Sequence, residues 1–312
     1  LKTDADYSFS LSGLMGRGRT PMGKRLVKTW LKQPLLSKAE IEMRHSVVEA
    51  FTSDIFLRES IRDQYLRGIP DIDRLVKKLE RKKISLMEMC MLYRASGRLG
   101  LIVDALKGYG GEHAKVLEER YTKPLSEYHD ETHLMKFEEL LEAAIDLERV
   151  PEEYLISPHY SEDLLALYQE KLETEDEIKR EAQAMADDLR LTLDKNIKLE
   201  WHKYSNTRTR CCRITQKEEK TVRKQLQAKY LILETRKDGT KFTNRSFKAA
   251  AERLNKITSA YEEKQRELVE AVVNVASSFA QVWMGVSKVL GEMDALLGFA
   301  DLSLNSARPF VR

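Results

Sequence analysis

Three clusters hold residue types from which a catalytic or ligand site could be built, and each has a plainer competing account. Gly18-Arg19-Thr20-Pro21-Met22-Gly23-Lys24-Arg25 nearly spells the phosphate-cradling loop G-x-x-x-x-G-K-[ST]. That loop works because consecutive backbone N–H groups and a lysine surround a polyphosphate while a hydroxyl holds Mg²⁺. Here Arg25 stands where the hydroxyl belongs, Pro21 removes one N–H donor, and no strand pattern precedes the loop. A helix start is the better reading, with Thr20 as N-cap and Pro21 in the first helical position. His129 and His133 stand four residues apart, but Glu131 sits one position late for a zinc-protease helix and no third ligand is indicated. Surface or packing histidines fit them better. Adjacent Cys211 and Cys212 would point to opposite faces of a strand, and with Cys90 they make neither a disulfide framework nor a metal set. Cysteine usage this sparse fits a reducing compartment. The expectation is a chain with no catalytic site, no metal and no cofactor of its own.

The remaining chemical signal is charge. The net charge is only +3, which by itself points to no polyanion. Locally the picture differs: residues 195–248 hold 16 Lys/Arg against 5 Asp/Glu, whereas residues 126–190 hold 6 against 20. A uniformly solvated surface mixes both signs, so this segregation predicts a compact basic module between acidic arms, suited to a polyanion. Arg213, Lys217 and Lys220 lie near one expected strand end, and Lys237, Lys241, Asn244 and Arg245 surround a turn. Cations with an amide and backbone N–H groups suit phosphate oxygens, and nothing resembles a recognition helix. Aromatics are sparse in the module (Trp201, Tyr204, Tyr230, Phe242, Phe247), which makes single-strand stacking the weaker reading.

The elements that must carry this module are mostly helices. Leu, Glu, Lys and Ala abound while the chain has 14 Gly and 7 Pro in 312 residues. Leu26, Val27, Trp30 and Leu31 recur at helical spacing until Pro34, and Ile72, Leu75, Val76 and Leu79 mark another short helix. Ser161 to about Arg190 lacks Gly and Pro and repeats Leu164, Leu167, Tyr168 and Leu172, predicting a helix about 45 Å long. A comparable run goes from Arg245 to about Leu290. Between these outgoing and returning arms, Ile197–Trp201 alternates as a strand, Tyr230–Glu234 does so weakly, and Asp238-Gly239 signals a hairpin turn. The fold class is therefore mainly α, two long helices carrying an inserted small β module. No apolar run approaches the roughly 20 residues that span a bilayer, so no membrane partner is expected. Beginning on Leu1 rather than Met, the chain reads as a segment of something longer.

Several stretches in combination resemble the MutS family of DNA mismatch-repair proteins, most of all its eukaryotic MutS homologue 2 branch. They are Arg19–Leu35 (RTPMGKRLVKTWLKQPL), Val47–Phe51 (VVEAF), Leu66–Lys78 (LRGIPDIDRLVKK), Lys217–Lys220 (KEEK), Lys237–Asn244 (KDGTKFTN), Met293–Ala300 (MDALLGFA) and Pro309–Arg312 (PFVR). The resemblance implies a lever domain in two parts, residues 1–156 and 253–312, with a clamp domain, 157–252, inserted between them. It also implies a nuclear DNA-repair protein whose clamp touches the phosphate backbone of duplex DNA. A second MutS homologue would complete a heterodimer, and ATP and Mg²⁺ would belong to an ATPase domain outside this chain. Carried over by position, Arg213, Lys217, Lys237, Lys241 and Asn244 fall on the clamp's strand and turn segments as DNA-binding residues. One departure stands out: where relatives run aromatic, this chain has Thr207-Arg-Thr-Arg-Cys-Cys212, adding Arg208 and Arg210, with Lys203 nearby, as further candidates. The competing reading is a structural coiled-coil scaffold with a basic interaction tip.

Overall fold

The computed structural model describes residues 10–204 and 207–305; the Pro309–Arg312 motif lies outside them. In chain order the principal elements are α1 (Pro21–Lys32), α2 (Lys38–Ser53), α3 (Ile72–Glu80), α4 (Leu86–Lys107), α5 (Leu134–Ala144), α6 (Glu162–Asp188), β1 (Ile197–Tyr204), β2 (Thr207–Ile214), α7 (Gln216–Lys229), β3 (Leu231–Arg236), β4 (Gly239–Thr243), α8 (Arg245–Ala276) and α9 (Ala280–Leu304). The fold is mainly α, with one small antiparallel sheet of order β1-β2-β4-β3 inserted between long helices. Two compact units divide the chain, one of residues 1–155 with 269–312 and the other of residues 156–268. Helix α8 crosses the second boundary.

The principal elements of the first unit are all helices. Thr20 caps α1 as its sequence predicts, its hydroxyl accepting from Gly23 N at 3.1 Å, with Pro21 at the first helical position. Around α9 lies the core: Trp283 is fully buried and meets the edge of Phe137 from α5 with ring centroids 5.6 Å apart. Helix α9 carries Gly291, Asp294 and Gly298 near one face, and these let the 17–23 segment approach its backbone closely. A methyl group added at Gly298 would stand 3.1 Å from Gly18 N.

The near-match to a phosphate loop has a concrete explanation here. Its N–H groups do hold an anion, but a protein one. Arg19 N donates to Asp294 Oδ1 at 2.7 Å, and Thr20 N and the Thr20 hydroxyl donate to Oδ2 at 2.8 and 2.7 Å. The carboxylate is fully buried, and a Cβ at Gly18 or Gly23 would fall within 2.6 and 2.3 Å of it, so the two glycines leave room for Asp294.

The returning helical run does not continue unbroken to Leu290. It tightens to a 3₁₀ turn at Ser277–Phe279, where the Ser277 and Ser278 hydroxyls donate to Asn274 O (2.7 Å) and Val275 O (2.8 Å) and compete with the ladder. By length and composition, the run Arg245–Leu304 would pass as a membrane span, with mean hydropathy 1.2 over its most apolar 18 residues. A count of uninterrupted apolar residues misses it because Glu270, Asn274 and Gln281 punctuate the stretch. In the fold a third of those 18 residues are buried, Val272, Val273, Ala276, Trp283 and Val286 among them, while Val275 is exposed.

The second unit is an antiparallel pair, α6 and the first part of α8, with the sheet at one end. Lys264 Nζ lies 3.2 Å from Asp163 Oδ2, the Tyr168 and Tyr261 rings are 6.2 Å apart, and Arg253 pairs with Glu177, which fixes opposite directions for the helices. At the sheet end, Ala182, Met185 and Leu189 of the α6 side and Phe247, Ala250 and Leu254 of α8 bury one sheet face, formed by Ile197, Cys212, Ile214 and Phe242. Burying this face makes the strand register specific, because a one-residue slip would turn each side chain to the other side.

Candidate nucleic-acid interface

Strand alternation and register decide where each cation goes. Trp201 pairs with Arg210, Lys203 with Arg208, Glu200 with Cys211, and Arg213 with Lys241. Successive side chains alternate faces, so Trp201, Lys203, Arg208 and Arg210 share the face of Cys212 and Phe242. Glu200, Cys211, Arg213 and Lys241 share the other. The eight candidate residues are thus not one patch.

Arg213 and Lys241 stand side by side, as a phosphate-gripping pair would, but both are engaged within the protein. Arg213 Nε donates to Glu200 Oε1 at 2.6 Å and its Nη1 to Asp238 O at 2.9 Å. Lys241 Nζ donates to Trp201 O at 2.9 Å and lies 3.7 Å from Glu200 Oε2. Their side chains are 19% and 20% exposed, so Glu200 neutralises much of the charge that sequence counting assigned to this face. Glu200 was legible as a strand residue, but its role follows from the β1–β2–β4 register.

Lys237 is exposed on the β3–β4 turn. That turn is centred on Lys237-Asp238, not on Asp238-Gly239. Gly239 already pairs with Arg236, and neither central residue has a positive φ, which excludes the primed turn that an Asp-Gly centre would form. Lys217 corrects the expectation most directly: it sits in the first turn of α7, not on a strand or turn. The Thr215-x-x-Glu218 pattern would have revealed this start, since the Glu218 carboxylate accepts from Thr215 N at 3.0 Å. On α7 Lys217, Lys220, Arg223 and Lys224 are exposed while Val222 and Leu226 are buried. Asn244 is half-buried at the start of α8, where its Oδ1 accepts from Phe247 N at 2.6 Å. Its amide is a helix cap in the first instance.

The departure segment forms an ordered feature of its own. The guanidinium carbons of Arg208 and Arg210 lie 4.7 and 4.3 Å from the Trp201 ring centroid, contacts each worth about 0.5–1 kcal/mol at an exposed site. Asn255 Nδ2 of α8 donates to Arg208 O at 2.8 Å and ties this strand to the helix.

The other chemical candidates resolve into ordinary partners. His129 and His133 do not share a helix; each has its own carboxylate, Glu138 at 3.0 Å and Asp130 at 2.8 Å. Among the described residues no group of three or more His, Cys, Asp or Glu side chains could hold a metal. Cys211 and Cys212 are both fully buried on opposite sheet faces, and burial pushes their thiols up to about 11 and about 12.

These observations define a class: a mainly helical protein whose two long helices carry a cation-bearing β insertion. The chain belongs to the MutS family, as the model of MutS domain III matches residues 2–300. It is 40% identical to the DNA mismatch repair protein MSH2 of Arabidopsis thaliana and 40% identical to that of Zea mays. Each match covers 100% of this chain and 33% of the relative. The corresponding Saccharomyces cerevisiae protein is 33% identical over 97% of this chain and 31% of its own length. The chain thus spans about a third of the length of the curated relatives it matches.

Proposed function

We propose that this chain is the lever and clamp segment of a nuclear DNA mismatch-repair recognition protein, in which the second unit grips the phosphate backbone of duplex DNA without sequence preference. The observation that carries this reading is the concentration of exposed cations on the sheet and α7, at one end of a helical pair whose outgoing arm is acidic. Family membership supports it, since the relatives are named as DNA mismatch repair proteins. The antiparallel helices, held by Tyr168–Tyr261, Glu177–Arg253 and Asp163–Lys264, resist bending and would transmit clamp position as lever orientation. In the whole protein this motion would reach an ATPase domain that holds ATP and Mg²⁺. A second MutS homologue would complete a heterodimeric sliding clamp.

The test is binding of a labelled duplex across a salt series. Neutralising a phosphate contact removes about 0.9 from the slope of log affinity against log salt. A steep, sequence-independent slope is expected. Lys217→Gln with Lys237→Gln should lower it by about two while leaving the thermal midpoint unchanged, because both side chains are exposed. Lys241 is a poor probe, since its ammonium also holds Glu200 and Trp201 O. Salt-insensitive binding, or none, would favour the scaffold with a basic tip.

A second expectation concerns catalysis. The N–H groups of Arg19 and Thr20 that a nucleotide would need are occupied by Asp294. This segment should therefore show no ATP hydrolysis; turnover abolished by Lys24→Ala would overturn that expectation.

A further inference from the structure

We propose that Lys203, Arg208 and Arg210 form a phosphate-gripping ladder on the Trp201 face of the β1–β2 ribbon, separate from the Arg213–Lys241 face. Trp201 is its positioning residue. The proposal rests on the duplex-binding reading above and names where in the clamp the grip is made.

The ribbon is where the sheet runs out. Strand β4 pairs only with Cys212–Ile214 of β2, so β1 from Glu200 and β2 up to Cys211 continue as a two-stranded arm. On one face of that arm Lys203 opposes Arg208 and Trp201 opposes Arg210. Like charges directly opposite one another destabilise an antiparallel pair, so the fold gains nothing from placing Lys203 against Arg208. A polyanion lying along the arm removes that repulsion.

The ladder also differs from the opposite face in how its charge is satisfied. Glu200 lies within ion-pair range of both Arg213 and Lys241. Among the described residues no carboxylate lies within such range of Lys203, Arg208 or Arg210, which leaves their charge available. Both guanidiniums lie over the indole, which restrains their positions while their N–H groups remain able to donate to phosphate oxygens. With two guanidiniums on the ring, Trp201 is not a free platform for an unpaired base, so the occupant is a duplex backbone and not a stacked single strand. The hydrogen bond from Asn255 to Arg208 O holds the arm against α8 and keeps the ladder from swinging freely.

The experiment uses the full chain and a fluorescein-labelled homoduplex, titrated between about 50 and 200 mM salt. Arg208→Gln with Arg210→Gln should reduce the salt slope by about two and the low-salt affinity on the order of tenfold or more. The thermal midpoint should hold. Trp201→Leu should weaken binding several-fold with the slope kept, because the charges remain but are no longer oriented, and Trp201→Phe should restore it. Wild-type affinity and slope in the double arginine variant would overturn the ladder and leave the duplex reading standing. Failure of the wild-type chain to bind duplex would remove both. Tighter binding of a single strand than of duplex, kept in Trp201→Phe and lost in Trp201→Leu, would replace phosphate gripping by base stacking.

Discussion

Replacing Asp294 by alanine is expected to destabilise the helical unit by about 3 kcal/mol, seen as a large fall in its thermal midpoint. The carboxylate is fully buried and accepts three hydrogen bonds at 2.7–2.8 Å from Arg19 N, Thr20 N and the Thr20 hydroxyl. Removing it strands the buried N–H and hydroxyl of Thr20 and the partly buried N–H of Arg19, and each unsatisfied buried group costs about 1–3 kcal/mol. An opposing effect reduces the loss. Burial raises the Asp294 carboxyl above its ordinary value of 3.8 despite these donors and nearby Arg62, so the charge itself is costly to hold. The donors win because they have no alternative partner, whereas the cost of the charge is already spread over all three. Asp294→Asn should recover only part of the loss, since an amide has one acceptor oxygen for donors that now reach two. Gly23→Ala should be comparably damaging, because its Cβ would fall 2.3 Å from Asp294 Oδ2. Urea unfolding of either variant within 1 kcal/mol of the wild type would sink the idea that this carboxylate organises the loop.

The same group sets a pH expectation. A carboxyl raised in the folded state favours folding most when protonated, so its contribution is complete below the unfolded value and is lost as pH rises through the folded one. Acid does not open the Asp294 cradle. Asp71 runs the other way: the Arg25 guanidinium, at 2.6 and 2.8 Å, holds it below the ordinary value. Its contribution is present above the unfolded value and lost as pH falls through the depressed one. Acid loosening of this unit therefore starts from pairs such as Asp71–Arg25.

How much of this was readable in the residues depends on how local each cause is. Thr20 with Pro21, the α6 arm and the β3–β4 hairpin follow from neighbours a few positions apart; the first two are found where their patterns put them, and the hairpin is found with its turn one residue earlier. Helix α7 is equally local in cause, since Thr215-x-x-Glu218 marks its start, but the clustered lysines on it carry no apolar alternation strong enough to set it apart from the neighbouring strand end. The remaining features are not local at all. That Gly18 and Gly23 make room for a carboxylate 271 or more positions later is invisible without the fold. That Glu200 silences Arg213 and Lys241 while Trp201 organises Arg208 and Arg210 depends on which residues face each other across β1 and β2. Composition identifies a basic module; only register separates the engaged cations from the available ones.

Gly239→Ala is expected to disrupt the sheet by about 3 kcal/mol while sparing the helical unit. Gly239 has φ +146°, a conformation L side chains rarely adopt, and an added Cβ would stand 2.1 Å from Ile214 O, a backbone atom of the neighbouring strand. No rotamer relieves that contact, so β4 must move away from β2 or the turn must be rebuilt, and strain of this kind costs about 1–3 kcal/mol before the lost pairing is counted. The consequences are specific because β4 lies between β2 and β3. Cys212↔Phe242 and Arg213↔Lys241 loosen together, and Phe242 withdraws from the core shared with α6, α7 and α8. Hydrogen exchange should show lost protection in β3 and β4, with α9 amides unchanged. Duplex affinity should fall through the turn that carries Lys237, whereas the Trp201 ladder, held by β1–β2 pairing and by Asn255 of α8, should lose only the bond from Lys241 to Trp201 O and keep part of its grip. Wild-type protection in β4 would mean that the turn tolerates a side chain and that this glycine does not set the register of the clamp.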